Sequence, residues 1–276
     1  MIYQELETGR EEEALAFLGR DPVKNLRMIW ALRRFGLFNL GLAEQGVFLA
    51  ALEGGGIRGL LFRDNRNMWR LAAPREVLPG LARAAMEAYG FPEALAGREE
   101  DVELVLGGVE GLAAAVTRRE EEVSMLLTGD TFSPRAAERA ERAGEEDLEQ
   151  LAVLERSLQV ELLGSAAEEW AVRLQMLRVV EGGTSFLVRE EGRVVAKAEM
   201  EAVTPAADEL GGVYTLPAYR RRGHAAAACS LACSFSLSRG KAVRLETQRG
   251  NRAAIALYRG LGFRELWPHL VVSFRA

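Results

Sequence analysis

The spacing of apolar residues divides the chain into short segments with either helical or strand character. In the first half, the three-to-four-residue spacing predicts helices over 11–18, after Asp21-Pro22, over 74–89 and over 109–116. Alternating or continuous apolar runs predict strands over 47–52, 57–62, 68–72, 102–106 and 123–128. The triple glycine at 54–56 separates the first two strands, which are therefore predicted to form a hairpin.

The second half shows the same kinds of segment in the same order. Helices are predicted over 145–161, over 168–179, after Gly223 and over 252–261. Strands are predicted over 136–143, 184–189, 194–203, 210–216 and 242–247, followed by a closing strand pair around Phe263 and 270–274. Helix, helix, three strands, helix, strand, helix, strand thus occurs twice, which indicates a structural duplication. The polar, Pro-containing stretch 128–134 is the candidate boundary, giving domains 1–130 and 134–276.

Length and charge limit the classes of function. A chain of 276 residues has room for two compact domains. Its net charge of −5 argues against bulk nucleic-acid binding. We expect a cytoplasmic protein without membrane association, because no apolar run is long enough for a signal peptide or a membrane span. Cys229 and Cys233 are expected to be core residues without a metal, since too few histidines and thiols exist to complete a site.

One stretch near the C-terminus combines a strand, a turn and a helix. Pro217 ends the strand, and Gly223 allows backbone amides to approach a ligand closely. The first amides of the following helix have no helical partner and favour an anion. The three arginines 220–222 are unfavourable at a helix start unless an anion binds there. The stretch therefore predicts a pyrophosphate site, with solvated surface charge as the alternative.

A second segment, 245–263, follows this stretch. Asn251 is a plausible N-cap of its helix, and Gly260 and Gly262 mark the helix end. Asn251 and Tyr258 are seven residues apart, so two helical turns place them near one face. Ala254 lies between them and is small enough for a ligand to approach.

Together the two segments resemble the GNAT superfamily of acyl-coenzyme A-dependent N-acetyltransferases. The similarity rests on Leu-Pro-x-Tyr-Arg-x-x-Gly-x-Ala at 216–225 and on Asn-x-x-Ala-x-x-Leu-Tyr-x-x-x-Gly-Phe at 251–263. It implies an α/β protein of tandem GNAT-like folds, each with a central mixed, mostly antiparallel sheet flanked by helices. The first half is GNAT-like only in its order of elements. It has Pro74-Arg75-Glu76 in the corresponding turn, so we expect it to lack the phosphate cradle.

The resemblance implies roles for matching positions. Acetyl-coenzyme A is the implied co-substrate, bound through the strand backbone, the amides of the turn and an asparagine: Val213, Tyr214, Thr215, Arg221, Arg222, Gly223, His224, Ala225, Ala226 and Asn251. Tyr258 matches the tyrosine that protonates the departing thiolate. The preceding Leu-Glu is similar to that of the ribosomal-protein N-terminal alanine acetyltransferases, which implies that Glu246 is the base.

The chemistry of acetyl transfer agrees with these roles. An amine with an ordinary pKa near 10 must lose a proton before it attacks a thioester, and a carboxylate can accept that proton. Glu199 and Glu201 are rivals of Glu246, which could instead be a solvated strand residue, and Tyr258 could instead be a core residue. Direct transfer is expected, because no cysteine is placed for a covalent acyl-enzyme. His224 is expected to be exposed at the turn and His269 on the strand surface, neither of them catalytic.

The sequence thus predicts an N-acetyltransferase that moves an acetyl group to a primary amine of a small molecule or peptide. The alternative is a non-catalytic acyl-coenzyme A-binding or sensing protein. A monomer with an intrachain pseudo-dimer, or a homodimer, is expected, with one cofactor per chain. The acceptor is expected to be selected around 164–178 and 205–208, where no residue is diagnostic.

Overall fold

The computed structural model of the protein describes residues 1–275, with every side chain except that of Leu163. Two compact units can be distinguished. The N-terminal unit contains Met1–Ser124, Glu246–Gly250 and the C-terminal segment from Leu266, and the C-terminal unit contains Met125–Leu245 and Asn251–Glu265. None of the described helices is both long enough and apolar enough to cross a membrane.

The element order is the same in the two halves of the chain. The first half contains β1 (Ile2–Glu5), α1 (Glu11–Leu18), α2 (Leu26–Phe35), β2 (Gly46–Glu53), β3 (Gly56–Asp64), β4 (Met68–Ala72), α3 (Leu78–Tyr89), β5 (Ala94–Arg98), α4 (Glu99–Gly108) and β6 (Val116–Leu127). The second half contains β7 (Ala140–Arg142), α5 (Leu148–Leu163), α6 (Glu169–Glu181), β8 (Ser185–Glu190), β9 (Arg193–Val203), β10 (Ala207–Thr215), α7 (His224–Leu237), β11 (Ala242–Gln248), α8 (Arg252–Leu261) and β12 (Arg264–Phe274). The predicted duplication of element order is confirmed, and each copy begins with a short strand.

The N-terminal unit is a mixed sheet with helices on both faces. Its strands lie in the order β1-β2-β3-β4-β5-β12-β6. Phe48 and Ala50 pack with α1 and α2, whereas the alternate residues Leu49 and Ala51 pack with α3 and α4. Side chains alternate between the faces of a strand, so a strand covered on both faces reads as the continuous apolar run seen in the sequence.

The last strand of the chain completes the sheet of the N-terminal unit. Residues His269–Ser273 of β12 pair antiparallel with Ala94–Arg98 of β5. The predicted closing strand pair is therefore wrong: β12 is one strand, and Pro268 does not interrupt it. The predicted domains 1–130 and 134–276 follow chain order, whereas the compact units do not, because non-local strand pairing places the segment from Leu266 with the first half.

Two further predictions in the first half are wrong. Residues 102–106 belong to helix α4, in which Val102, Val105 and Leu106 are buried at the spacing of one helical face. Residues 109–116 contain only a three-residue 3-10 turn, Ala113–Ala115, before β6 begins at Val116. Short apolar runs of this kind fit either period.

The C-terminal unit has the strand order β11-β10-β9-β8-β7. Helices α5 and α6 pack on one face of this sheet with Leu187, Val194 and Tyr214. Phe186, the neighbour of Leu187, turns to the other face and makes an edge-to-face contact with Phe235 of α7. The strand β10 is thus held between two helical layers, and it leads directly to the turn before α7.

Candidate active site

Strand β10 carries a bulge and separates from one of its neighbours. Its register with β9 shifts between Gly211 and Tyr214, and Gly212 has φ +56°. Its parallel pairing with β11 covers only Ala207–Glu209. From Leu210 onward the backbone therefore lies outside the β11 ladder. Such a strand edge offers N–H and C=O groups to an extended ligand.

The turn after β10 presents the start of α7. Arg221 and Gly223 adopt positive φ angles of 63° and 83°, and Gly223 is the N-cap of α7. No side chain caps the helix, and the first helical hydrogen bond is donated by the amide of Ala227 to the Gly223 carbonyl. The amides of His224, Ala225 and Ala226 consequently have no helical partner. Alternating backbone conformations next to a free helix start are typical of an anion site.

The arginines of this turn have protein partners as well. Arg220 donates a hydrogen bond to Glu161 at 2.6 Å and another to the Thr215 carbonyl at 3.0 Å. The guanidinium of Arg222 lies 3.4 Å from a carboxylate oxygen of Glu190. Two of the three positive charges at the helix start are therefore balanced by carboxylates, so the arginine run does not by itself require an anion.

His224 is buried, and its predicted exposure at the turn is wrong. Only 1% of its surface is accessible. Its Nδ1 lies 3.2 Å from the Arg139 guanidinium, and its Nε2 lies 3.0 Å from Glu190. Burial lowers the pKa of His224, against the opposing effect of Glu190. The contacts of the ring with Arg139 and Glu190 thus fix the first turn of α7. The backbone amide of His224 lies at the start of that helix.

Helix α8 begins at its predicted cap and buries its tyrosine. The Asn251 side chain accepts a hydrogen bond from the Ala254 amide at 3.1 Å, which confirms the N-cap. Tyr258 is 8% exposed and packs edge-to-face on Phe263. Burial raises the pKa of Tyr258 far above its usual range, and the charge of Glu201 raises it further. The phenol therefore stays protonated at neutral pH, so it has a proton to donate and does not act as a base.

Cys229 and Cys233 line the buried side of α7. Both have no accessible surface, as predicted for core residues. Burial raises the pKa of the Cys229 thiol to about 12. Because the thiolate is the nucleophilic form, neither residue is suited to carry an acyl group at neutral pH.

A buried charge cluster lies beneath the bulge of β10. The Lys197 ammonium donates to Glu155 at 2.8 Å and to Glu199 at 2.5 Å. Glu155 also accepts from the Gln159 and Gln175 amides at 2.9 and 3.1 Å. None of the three charged side chains is more than 6% exposed. This cluster was not predicted as a unit, although Lys197, Glu199 and Glu201 alternate along β9 and so share one face of the strand.

Lys197 shifts the pKa values of its two carboxylate partners to different extents. Burial alone would raise the pKa of Glu155, but Lys197 and the two glutamines outweigh it and lower that pKa. Burial raises the pKa of Glu199 to about 7, since Lys197 only partly compensates and Glu155 adds repulsion. Burial lowers the pKa of Lys197, but the two carboxylates outweigh burial and raise it overall. Glu199 is therefore the member of the cluster that titrates near neutral pH.

Glu246, the predicted base, belongs to the N-terminal unit. It lies with Glu122 and His269, each of which offers a ligand atom within 4.8 Å of the others. His269 Nδ1 is 3.1 Å from a Glu246 carboxylate oxygen. His269 is only 8% exposed, so its predicted position on the strand surface is wrong. One histidine and two carboxylates could hold a divalent metal ion, but the same groups also form an ordinary ion-pair cluster.

Comparison with known proteins identifies a family for the segment that contains the junction of β10 and α7. Residues 148–263 match the acetyltransferase (GNAT) family. The match includes the strand β10, the turn before α7 and the helix α8. No curated protein matches the sequence.

Solved structures share the architecture over nearly the whole chain. An acetyltransferase of the GNAT family from Colwellia psychrerythraea covers 100% of both chains with 13% identity and a TM-score of 0.62. A GCN5-related N-acetyltransferase from Sphaerobacter thermophilus covers 98% of this chain and 94% of its own, with 14% identity and a TM-score of 0.65.

A third solved structure is that of a tandem GNAT protein. A tandem GNAT protein from the clavulanic acid biosynthesis pathway covers 99% of this chain and 98% of its own, with 12% identity and a TM-score of 0.59. At these identities the likeness concerns the fold, which agrees with the element order found twice here. With the family match over residues 148–263, it leads to one conclusion: the chain has a tandem GNAT fold, and its C-terminal half contains a domain of the GNAT acetyltransferase family.

Proposed function

We propose that this protein is an N-acetyltransferase that transfers an acetyl group from acetyl-coenzyme A to a primary amine of a small molecule or peptide. The observation that carries the proposal is the junction of β10 with α7. The pairing of β10 with β11 ends at Glu209, so the rest of β10 has a free edge on that side. The turn after β10 leads to α7, whose first turn has no capping side chain. A long thioester ligand whose extended arm leads to a pyrophosphate has the matching chemistry at both places.

The residues at this junction fit acetyl-coenzyme A. The backbone of Val213, Tyr214 and Thr215 would hold the pantetheine arm, and the amides of residues 221–226 would hold the pyrophosphate. The Thr215 hydroxyl is buried and has no hydrogen-bond partner among the described residues, as expected of a group kept for a ligand. Asn251 would contact the arm from the start of α8. When bound, acetyl-coenzyme A supplies the acetyl group as an activated thioester.

The protein's part in the reaction is to accept a proton from the amine and to stabilise the departing thiolate. Glu246 is the proposed base by resemblance, and it would take the proton from the acceptor ammonium. Tyr258 would donate a hydrogen bond to the departing sulfur. Because burial raises its pKa so far, the phenol stabilises the thiolate by hydrogen bonding more than by complete proton transfer. A β10 backbone N–H near the bulge would stabilise the negative charge that develops on the acyl oxygen.

Calorimetric titration with acetyl-coenzyme A tests the cradle. We expect one binding event per chain for the parent protein and none for Gly223→Trp. Gly240→Trp is a matched control, because Gly240 also has positive φ, follows the other end of α7 and has open space around it. Equal loss of binding in both variants would mean that damage to α7, and not obstruction of the cradle, explains the result. A parent protein that does not bind would refute the proposal.

Turnover is tested by thiol release with a panel of polyamines, aminoglycosides, amino acids and N-terminal peptides. Any acceptor that gives stoichiometric thiol release and an acetylated product supports the enzyme. Tight binding of acetyl-coenzyme A without turnover across the panel would instead support the non-catalytic binding or sensing protein. Glu246→Gln, assayed with the best acceptor, tests the proposed base.

A further inference from the structure

The Lys197 cluster lies directly against the part of β10 that would face the thioester. Gly211 is the register partner of Glu199, and Tyr214 is that of Lys197. A β-carbon added at Gly212 would lie 2.7 Å from Glu199 Oε2 and 3.0 Å from Lys197 Nζ. The bulge at Gly212 therefore lies next to a buried carboxylate and a buried ammonium.

We infer that Glu199 accepts the proton of the acceptor amine, and that Lys197 and Glu155 are positioning residues: Lys197 donates a hydrogen bond to each carboxylate and so links Glu199 to Glu155. This inference rests on the proposed acetyl transfer but replaces Glu246, the base implied by resemblance, with a proton acceptor that belongs to the C-terminal unit itself. Lys197 binds one Glu199 oxygen, so the other oxygen is directed toward the bulge. Glu155 is held by three donors and keeps its own charge, so it does not compete for the proton.

The charged groups around Glu199 act in opposite directions. Lys197 on the same strand favours the ionised carboxylate, whereas Glu155 on α5 and Glu201 on β9 disfavour it. Its cross-strand neighbours, Ser185 on β8 and Gly211 on β10, carry no charge. A base is most effective when its pKa lies near the working pH, and these opposing charges bring Glu199 into that range.

The proton balance of the step is complete. The acceptor ammonium loses one proton to the Glu199 carboxylate, and the freed nitrogen lone pair forms the C–N bond. As the C–S bond breaks, the nitrogen gives up its second proton and the departing thiolate takes up one, so the products are the amide, the thiol and the one proton held by Glu199. Glu199 itself is 1% exposed, so the proposed route of the proton runs through Glu201, the neighbouring carboxylate whose charge acts on Glu199. Glu201 is part-exposed and lies two residues along the same face of β9, and a β-carbon added at Gly211 would lie 2.3 Å from its carboxyl carbon. The proton then returns to solvent by the same route.

The decisive experiment is the pH profile of kcat/KM for one acceptor, measured for three variants. Lys197→Met removes the favourable charge and should move the acidic midpoint up by about one pH unit or more. Glu155→Gln removes a repulsive charge and should move it down. Glu199→Gln should lower kcat/KM at neutral pH by roughly 10² or more. A merely structural role would lower activity without moving the midpoint in opposite directions.

Further measurements distinguish failure of the Glu199 inference from failure of the proposed acetyl transfer. Carboxyl NMR of glutamate-labelled protein follows Glu199 directly and needs no activity, so it also serves if Lys197→Met does not fold. Shifts in the same direction in both variants, or full activity of Glu199→Gln beside an inactive Glu246→Gln, would overturn the inference while leaving acetyl transfer intact. Absence of turnover in the parent protein with every acceptor concerns the proposed function instead.

Discussion

The stability of Glu199→Gln relative to the parent protein should increase as the pH rises. The ordinary pKa of a glutamate is 4.5, and burial raises that of Glu199 to about 7. Between these values the native protein binds more protons than the unfolded chain, so the parent loses stability as the pH rises through this window. A neutral glutamine of the same shape does not titrate, and the variant escapes this loss.

The size of the effect follows from the same two values. Each tenfold change in proton affinity corresponds to about 1.4 kcal/mol, so the step from 4.5 to about 7 corresponds to roughly 3 kcal/mol. The pKa of Glu155 lies below its ordinary value and that of Lys197 above it. Glu199 is therefore the one member of this cluster that changes charge between pH 5 and 8. Any constant effect of the substitution cancels when the two pH values are compared.

Urea denaturation at pH 5 and at pH 8 measures the difference directly. We expect the free energy of unfolding of Glu199→Gln, minus that of the parent, to rise by about 2 to 3 kcal/mol between the two pH values. Glu181→Gln, an exposed glutamate at the end of α6, should show a change within about 0.5 kcal/mol. If the free energy of unfolding of Glu199→Gln minus that of the parent stays constant with pH, the pKa of Glu199 is not raised in the native protein, and the reasoning is refuted.

Three further predictions concern the junction of β10, α7 and α8. Tyr258→Phe should lower kcat by about 10², with acetyl-coenzyme A binding unchanged by calorimetry; equal activity would remove the donor role. Gly212→Ala places a β-carbon against the buried cluster and should destabilise the protein by about 2 to 3 kcal/mol in thermal denaturation, whereas Gly240→Ala, also at positive φ but in open space, should cost about 1 kcal/mol. Burial lowers the pKa of His224, so the parent should lose stability on acidification below pH 6.5; His224→Gln should lose less, and identical acid profiles would contradict this.

Sequence patterns over adjacent residues predicted most of the helices and strands. They could not predict features that depend on contacts between distant parts of the chain. The hairpin of β2 and β3 and the helices α1 and α8 follow from turn glycines and apolar spacing over adjacent residues. The placement of β12 beside β5 could not be predicted in that way, because it joins residues more than 170 positions apart. Helix α4 was missed because its buried residues Val102, Val105 and Leu106 fit a short apolar run as well as a helical face.

The same distinction between local and long-range features applies to the candidate site. The turn at Gly223 and the cap at Asn251 depend on residue types that determine local backbone geometry, and both are found as predicted. The partners of His224 lie far away in the sequence, at Arg139 and Glu190, so its burial was not visible. Lys197 joins β9 to α5 through Glu155 in the same way. Alternation along β9 indicated a shared face, but only the packing of α5 shows that this face is buried.

The two copies of the fold differ at the one junction that carries the proposed function. In the C-terminal unit, β10 separates from β11 and leads through two positive-φ residues to an uncapped helix start. In the N-terminal unit, β4 also pairs in parallel with its neighbour over three residues. However, the N-cap of α3, Val77, has right-handed helical angles, and Arg75 in the connecting turn is paired with Glu100. A three-residue parallel pairing is therefore present in both copies. The left-handed turn that would hold a pyrophosphate is found at α7, so one acetyl-coenzyme A per chain is expected.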